Sequence, residues 1–317
     1  MDMKQHLVVA AVERPNSEIV VATLKDPQGA DLAPWEAGAH IDLHLPSGLI
    51  RQYSLCGDPA DRTSYRIGVL REAAGRGGSV EAHAILTEGA TVAVGGPRNH
   101  FRLLDAEGYL FIAGGIGVTP ILPMLRTAEA CGKPWRLVYG GRSLEAMGFV
   151  GELNGWGGRV SIEPHDQTGL LDLEAIFDSL PPGHRLYSCG PEGMMTALEE
   201  IAAKRGTPGL LHIERFGAPE GQAEVENSAT GYEVELRQSG RTLRVGPGES
   251  LRQVLVANGV DVPFSCEEGY CGSCETRVLE GEPIHNDVVL TAEEKAENNL
   301  MMVCVGSCKS ARLVLDL

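Results

Sequence analysis

Residues 263–278 read PFSCEEGYCGSCETRV, and together with Cys304 they determine the architecture of the C-terminal part of the chain. Cys266, Cys271 and Cys274 follow the pattern C-x4-C-x2-C, and Cys304 lies in the separate segment MMVCVGS. Deprotonated cysteines offer soft, anionic sulfurs, which are the ligands that iron–sulfur and zinc centres prefer. These four side chains are therefore predicted to be metal ligands.

The spacing distinguishes between the two kinds of centre. C-x4-C-x2-C with a distant fourth cysteine is the plant-type spacing of a [2Fe–2S] cluster. Gly269 and Gly272 let the loop turn its backbone amides inward, toward the cluster sulfurs. Structural zinc is the alternative, but it usually takes two separated CxxC pairs, and this chain has one such pair around these ligands. The sequence favours the [2Fe–2S] cluster.

The segments around the cysteines support this interpretation. Two alternating runs, YEVELRQ and RTLRVG, flank a turn at Ser239 and Gly240. A helix, LRQVLVANG, follows with Ser250 as its predicted N-cap and Gly259 at its end. Hairpin, helix, cluster loop and a final LVLDL strand resemble a plant-type ferredoxin domain of the β-grasp fold over residues 232–317.

Composition and charge exclude several classes of protein. The chain has 317 residues, a formal net charge of −16 and eight cysteines. An acidic chain does not suit nucleic acid or anionic membranes, which recruit Lys and Arg. It contains no apolar run of about 18 residues and no signal peptide pattern, so we expect a cytoplasmic monomer. Disulfides are rare there, and Cys56, Cys131 and Cys308 are expected to be ordinary buried residues.

The rest of the chain has two further patterns. Residues 1–104 contain short alternating runs separated by Gly, Pro and Asp turns, which predicts an antiparallel β-barrel. Residues 105–217 alternate apolar strands with helices, which predicts a parallel sheet in an α/β domain. Residues 218–231 are poor in large apolar side chains and read as a linker to the ferredoxin-like domain.

Two strand-to-helix turns in the predicted α/β domain are rich in small residues. FIAGGIGVTPILPML contains the turn Gly114, Gly115, Ile116, Gly117, Val118 and Thr119, and YSCGPEGMM contains Cys189, Gly190 and Pro191. Small residues let the backbone approach a pyrophosphate at a helix N-terminus; the alternative is a strand-to-helix turn that needs glycine for packing alone. Because the carboxyl ends of parallel strands share one edge, both turns are predicted to line one crevice.

Two motifs of the predicted barrel are each ambiguous alone. Arg51-Gln52-Tyr53-Ser54 could be a solvated strand edge, and Gly75-Arg76-Gly77-Gly78-Ser79 could be a flexible loop. A glycine-rich turn that ends in Ser can also cradle a phosphate, to which an Arg adds a bidentate charge.

Together and in this order, the motifs resemble the ferredoxin-NADP reductase superfamily, and within it the phthalate dioxygenase reductase and vanillate demethylase reductase group. The resemblance spans nearly the whole chain and implies a flavin in the barrel. It places Arg51 at the flavin phosphate, Tyr53 on the ring and ribityl chain, and Ser54 near N5. It also implies that Gly77, Gly78 and Ser79 form the loop that binds the flavin phosphate. Val69 and Leu70 would lie along the edge of the flavin ring.

The resemblance further implies a pyridine nucleotide. Gly114 to Thr119 would hold its pyrophosphate, Cys189 to Pro191 would lie at the nicotinamide, and Phe216 would approach the flavin. Arg142 and Ser143 would lie at the adenosine ribose or a 2′-phosphate. The domain order favours FMN, with FAD as the alternative, and the group mostly prefers NADH, with NADPH possible. Glu214 either neighbours the flavin or pairs with Arg215, and we favour the ion pair.

The implied activity is electron transfer. Nicotinamide gives up two electrons as hydride, a [2Fe–2S] cluster takes one, and a flavin can exchange either number. The chain is thus predicted to be an NAD(P)H-dependent reductase that passes single electrons to a Rieske-type oxygenase component. Alternatives are a cytochrome P450 as acceptor, or a zinc or cluster module without turnover. The acidity suits docking to a basic acceptor.

Overall fold

The computed structural model describes residues 4–73, 77–217, 228–264 and 266–317. Two compact units divide the chain, Met1–Arg215 and Phe216–Leu317, and each is described separately. Most of the predicted linker, and Gly75 and Arg76 of the glycine-rich turn, lie outside the described residues. The boundaries of the three predicted domains stay predictions.

The first unit begins with an antiparallel sheet. Its six strands, in chain order, are β1 Gln5–Glu13, β2 Ile19–Lys25, β3 His40–His44, β4 Ile50–Ser54, β5 Tyr65–Leu70 and β6 Thr91–Arg98. They are arranged in the order β4-β3-β6-β1-β2-β5. A bridge between Leu55 and Ile67 joins the two edges of the sheet and closes it into a barrel, with α1 (Gly78–Ile85) between β5 and β6. Alternate strand residues such as Leu7, Val9 and Ile41 fill its core.

A parallel sheet forms the rest of the first unit. Its strands are β7 Gly108–Gly114, β8 Trp135–Gly141, β9 Val160–Pro164, β10 His184–Cys189 and β11 Leu211–Glu214. The accompanying helices are α2 Val118–Ala130, α3 Val150–Leu153, α4 His165–Thr168, α5 Leu173–Asp178 and α6 Glu192–Lys204, with single 3-10 turns at Gly115–Gly117, Leu144–Ala146, Asn154–Arg159 and Pro208–Leu210. The order is β11-β10-β7-β8-β9, so the direction of winding reverses between β7 and β10. Ligands of open α/β sheets bind at such a reversal, outside the carboxyl ends of the strands.

The barrel and the parallel sheet share contacts within this unit. Glu152 of α3 accepts hydrogen bonds from Arg126 of α2 and, at 2.9 Å, from Arg66 of β5. Arg126 also donates to the backbone carbonyls of Cys56 and Gly57, at 3.1 and 2.8 Å. These bonds hold the end of the barrel against the helix that follows the first parallel strand.

The second unit is a mixed sheet with two helices. Its strands are β12 Tyr232–Leu236, β13 Arg241–Val245, β14 Glu275–Glu280, β15 Pro283–Ile284, β16 Leu300–Met302, β17 Ser307–Cys308 and β18 Arg312–Leu315, and its helices are α7 Leu251–Ala257 and α8 Ala292–Glu297. The main sheet has the order β13-β12-β18-β14-β16, and β15 pairs separately with β17. The last strand in chain order therefore lies in the middle of the sheet, parallel to β12.

The predicted fold class is confirmed: an antiparallel barrel, a parallel α/β sheet and a β-grasp unit are present. One smaller expectation is wrong, and another is confirmed only in part. Cys131 is exposed, because it lies one residue beyond the end of α2, whereas Cys56 and Cys308 are buried as expected. Ser250 occupies the N-cap position of α7, but its side chain makes no capping hydrogen bond. Across the residues that the structure describes, no helix is both long and apolar enough to cross a membrane.

Candidate functional site

The side chain of Arg51 crosses the start of α1. A Cβ atom at Gly78 would lie 2.4 Å from its Nε and 3.0 Å from its Cζ, so a larger residue there would force the Arg51 side chain to move. The Arg51 Nη1 donates to the carbonyl of Ile50 at 2.8 Å. The strand that carries Arg51 and the turn that carries Gly78 are thus brought together although the two residues are 27 positions apart in the sequence.

The turn itself provides a cradle for an anion. Gly77 adopts the left-handed φ of 84° immediately before α1, a conformation that favours glycine. The first N–H groups of a helix have no partner within it, and the guanidinium of Arg51 lies beside them. Ser79 accepts a hydrogen bond from the Glu72 N–H at 2.9 Å, which fixes its hydroxyl at the same turn. The donor set fits a phosphate group.

Tyr53, Val69 and Leu70 lie on the strands next to this cradle. Burial raises the pKa of the Tyr53 phenol, so the hydroxyl is neutral and can donate a hydrogen bond. Val69 is buried and Leu70 is partly exposed at the end of β5. The Val69 carbonyl is bonded to the His83 ring at 2.9 Å, which ties β5 to α1.

The two predicted strand-to-helix turns lie against each other at the reversal of the parallel sheet. A Cβ at Gly117 would lie 2.3 Å from the carbonyl oxygen of Cys189 and 2.7 Å from the backbone nitrogen of Gly190. A Cβ at Gly114 would lie 2.5 Å from Cδ of Pro191. Because real Cβ atoms do not approach that closely, both positions require glycine. The sequence prediction that the two turns share one crevice therefore agrees with the geometry.

Two residues that the sequence analysis missed hold this crevice in place. The Tyr139 hydroxyl, at the end of β8, lies 3.0 Å from the carbonyl oxygen of Gly115 and 3.1 Å from that of Gly148. Phe149 has a left-handed φ of 64° and contacts Gly68 of β5. The only sequence signal was the position of Tyr139 directly before Gly140 and Gly141, at the end of a predicted strand.

Thr119 connects the glycine turn to the barrel. It is buried, its hydroxyl donates to the Ile116 carbonyl at 2.9 Å, and its methyl group faces Gly68. A Cβ at Gly68 would lie 3.0 Å from that methyl. The contact brings the predicted nucleotide turn next to the strand that leads to Val69 and Leu70.

Ser54, Cys189 and Glu214 converge at the same edge. The Ser54 Oγ lies 3.4 Å from Oε2 of Glu214, and Cys189 pairs in register with Glu214 across β10 and β11. Although part of the Glu214 residue is exposed, burial of its carboxyl raises its pKa to about 8, and Ser54 opposes the shift. Burial, and then Glu214, raise the pKa of the Cys189 thiol, which is neutral.

The favoured prediction for Glu214 is wrong. Arg215 does not pair with it, because its guanidinium lies between Glu192 and Glu199 of α6, at 3.0 and 2.7 Å. Successive residues of a strand point to opposite faces, so Glu214 faces Ser54 while Arg215 faces the helix. The alternative, in which Glu214 lies at the predicted flavin site, fits the geometry.

Arg142 and Ser143 lie outside this convergence, and Phe216 belongs to the second unit. Arg142 is largely exposed and forms an ion pair with Glu18 of the barrel strand region. Ser143 follows it in extended conformation, before the short 3-10 turn. Phe216 is the first residue of the second unit and is 42% exposed. Their roles stay predictions.

In the second unit, all four predicted cluster ligands are buried, with exposures between 2% and 7%. Hydrogen bonds from the thiols of Cys271 and Cys304 lower the pKa of Cys266, and the bonds to Cys266 and Cys274 raise the pKa of Cys304. The thiols thus follow one another in the order Cys271, Cys266, Cys304, Cys274.

The loop that carries three of these ligands depends on glycine. Gly269 and Gly272 have left-handed φ values of 76° and 73°. The N–H of Glu268 points at the Cys266 sulfur at 3.4 Å, as expected for a loop that turns its amides inward. Four buried sulfurs with a backbone donor fit a [2Fe–2S] cluster.

The sequence of this chain is similar to those of several known proteins. The family described as "2Fe-2S iron-sulfur cluster binding domain" matches residues 234–309. Phenoxybenzoate dioxygenase subunit beta of Ectopseudomonas oleovorans is 43% identical over 98% of this chain and 97% of its own length. Phthalate dioxygenase reductase of Burkholderia cepacia is 39% identical over 98% and 97%, and vanillate O-demethylase oxidoreductase of a Pseudomonas species is 39% identical over 98% and 99%. The chain belongs to the phthalate dioxygenase reductase and vanillate O-demethylase reductase family.

Solved structures agree with this membership. The phthalate dioxygenase reductase structure, described as modular for electron transfer from pyridine nucleotides to [2Fe-2S], is 39% identical, with a TM-score of 0.72 over 100% of this chain and 98% of its own. An intact type IV self-sufficient cytochrome P450 monooxygenase is 40% identical, with a TM-score of 0.91 over 99% of this chain. This chain spans 41% of that longer protein.

The family assignment confirms the predicted activity class. As a member of this family, the chain is a flavoprotein oxidoreductase with a C-terminal [2Fe–2S] domain. It acts in electron transfer as the reductase component of an oxygenase system.

Proposed function

We propose that this chain takes electrons from NADH through FMN and a [2Fe–2S] cluster and delivers them singly to a Rieske-type oxygenase component. The observation that carries the proposal is the convergence of Ser54, Cys189 and Glu214. These residues lie beside the crevice between the two strand-to-helix turns, where the barrel meets the carboxyl ends of β7 and β10. When bound, the flavin accepts the two electrons of a hydride and releases them one at a time.

The residues of the first unit bind and orient the two ligands. Arg51 and the turn of Gly77, Gly78 and Ser79 hold the flavin phosphate, and the neutral Tyr53 packs along the flavin. Gly114 and Gly117 let the nucleotide backbone approach the helix N-terminus, and Thr119 joins that turn to β5. The Ser54 hydroxyl donates to Oε2 of Glu214, and burial of the carboxyl, which this bond only partly opposes, favours a proton on Glu214.

The assignment of FMN and NADH rests on two supports. The described phosphate cradle consists of one Arg and one helix start, which suits a single phosphate group. Arg142 is the predicted contact for a 2′-phosphate, but it is paired with the carboxylate of Glu18. A paired Arg offers less charge to a phosphate than a free one does, which favours NADH over NADPH.

The assignment of a Rieske-type acceptor rests on the relatives that match this chain over its full length. Their names place them with a phthalate dioxygenase, a vanillate O-demethylase and a phenoxybenzoate dioxygenase. A cytochrome P450 is the second candidate, because a self-sufficient P450 contains a region 40% identical to the whole of this chain.

A cysteine variant tests the separation of the two carriers. Cys271→Ala removes one cluster ligand and is expected to abolish reduction of cytochrome c, while reduction of the bound flavin by NADH stays intact. Stopped-flow absorbance measures both steps. Cys308→Ala, which removes a buried thiol of the same unit outside the ligand set, is the matched control and is expected to behave as the parent protein. Loss of flavin reduction in a folded Cys271→Ala protein would contradict the proposal.

Reconstitution separates the acceptors. The holoprotein with NADH is combined in turn with a purified Rieske oxygenase component and with a cytochrome P450 monooxygenase domain. Product formation with the former at a rate well above that with the latter supports the proposal, and the reverse order favours the second candidate.

A further inference from the structure

The segment 285–290, which we name the clasp, lies between the third and fourth ligands of the cluster in the sequence. It joins β15 to the turn before α8 and contains His285, Asn286 and Asp287, none of which the cluster spacing explains. Both parts of the ligand set touch this segment. The three-cysteine loop contacts it on one side, and the segment that carries Cys304 contacts it on the other.

The contact with the three-cysteine loop is made at Gly269. The N–H of Val288 donates to the Gly269 carbonyl at 3.0 Å. A Cβ at Gly269 would lie 3.1 Å from Cα of Asp287 and 2.7 Å from Cγ2 of Val305. The loop, the clasp and the residue that follows Cys304 therefore meet at one glycine.

The contact with the fourth ligand is made by a side chain. Nδ2 of Asn286 donates to the carbonyl of Val305 at 2.8 Å. Val305 is the neighbour of Cys304 and is buried, so this bond fixes the backbone of the fourth ligand relative to the clasp. An Asn amide that donates to a buried carbonyl leaves an unsatisfied acceptor when it is removed.

The clasp is itself held rigid. The carboxylate of Asp287 accepts hydrogen bonds from the N–H groups of Val289, at 3.2 Å, and Leu290, at 2.9 Å. Lys295 of α8 donates to the Asp287 carbonyl at 2.6 Å and pairs with its carboxylate at 3.7 Å. The side chain of Asp287 is 1% exposed, so these contacts are shielded from solvent.

We infer that the clasp positions Cys304 against the three-cysteine loop, and that Asn286 and Asp287 thereby set the retention and the electronic environment of the cluster. Residues that orient metal ligands from behind commonly change metal affinity by about 10- to 100-fold when they are lost. The inference rests on the cluster site described above and assigns no role in electron transfer to the clasp residues themselves.

The test uses the full-length holoprotein and two asparagine variants. Asn286→Ala is expected to lose its cluster on the order of tenfold faster in air than the parent protein, as followed by visible absorbance and by iron and sulfide content. The reduced cluster is also expected to show a changed electron paramagnetic resonance spectrum and reduction potential. Asn258→Ala is the matched control, because Asn258 donates to the carbonyl of Val254 at 2.9 Å in the same unit, away from the ligands.

A second pair of variants keeps the test decisive if Asn286→Ala is poorly folded. Asp287→Asn retains an acceptor for the N–H groups of Val289 and Leu290, whereas Asp287→Ala does not. Cluster retention is expected to be close to the parent value for Asn and reduced for Ala. Equal loss in Asn286→Ala and Asn258→Ala, or an unchanged spectrum and potential in Asn286→Ala, would overturn the inference. A parent protein without iron and sulfide would instead overturn the proposed function.

Discussion

Glu214 combines a hydrogen bond to Ser54 with a carboxyl pKa raised to about 8 by burial. The folded protein therefore holds a proton on this group at pH values where the unfolded chain, with a pKa of 4.5, has lost it. Because the folded state binds more protons between these two values, the contribution of Glu214 to the free energy of unfolding falls as the pH rises from about 4.5 to about 8.

Glu214→Gln is expected to remove this pH dependence. Infrared difference spectroscopy should detect a protonated carboxyl band in the parent protein that disappears as the pH rises through about 8, and the variant should lack it. The Tm of the variant should also decline less between neutral and alkaline pH. Glu200→Gln, on the exposed face of α6, is the control and should leave the band in place. A band that persists in Glu214→Gln would assign the proton to another residue.

At the scale of elements, we predict that the contact between the two strand-to-helix turns controls nucleotide binding. Gly117→Ala would place a methyl group 2.3 Å from the Cys189 carbonyl and push the turns apart. We expect the Kd for NAD⁺ to rise on the order of 10- to 100-fold while flavin content stays the same, since loss of a hydrogen bond to a charged phosphate costs about 1.5 to 3 kcal/mol. Calorimetric titration with NAD⁺ and flavin absorbance measure the two quantities.

Gly193→Ala in α6 controls for the change of residue type, because a Cβ there meets no atom within 4 Å. This variant should bind nucleotide as the parent protein does and be slightly more stable, since alanine favours a helix over glycine. Parent-like binding by Gly117→Ala would mean that the crevice does not receive the nucleotide.

Over the whole molecule, the acidic charge is unevenly distributed. Residues 1–224 have 19 basic and 28 acidic side chains, a charge of −9, and residues 225–317 have 8 and 15, a charge of −7. The region with the cluster therefore has nearly twice the charge per residue. The negative electrostatic field of this region attracts a basic electron acceptor, and dissolved salt screens the attraction.

Reduction of cytochrome c, a basic protein, is therefore expected to slow by about tenfold when NaCl is raised from about 20 mM to about 500 mM. Ferricyanide is the control acceptor: as an anion it should be reduced faster, or at an unchanged rate, in high salt. A rate with cytochrome c that is independent of salt would mean that the acidic charge serves solubility alone.

The sequence predicted the features that local spacing determines. The cysteine pattern, the glycine turns and the alternating strands each carry a short-range signal, and the structure places them as expected. Contacts between distant side chains that belong to no motif were not predictable: Glu214 meets Ser54 across 160 positions, and Arg142 meets Glu18 across 124. The exposure of Cys131 was not predicted for a related reason. Residue type alone does not reveal whether a thiol lies within a helix or just beyond its end.

The central place of β18 in the second unit has a consequence for biosynthesis. Strands β12 and β14 are both translated before residues 312–315, yet each pairs with β18 and neither pairs with the other. The sheet therefore cannot close while the ribosome still holds that segment. Insertion of iron and sulfide into a finished site is then a late event in maturation, after all four thiols have emerged.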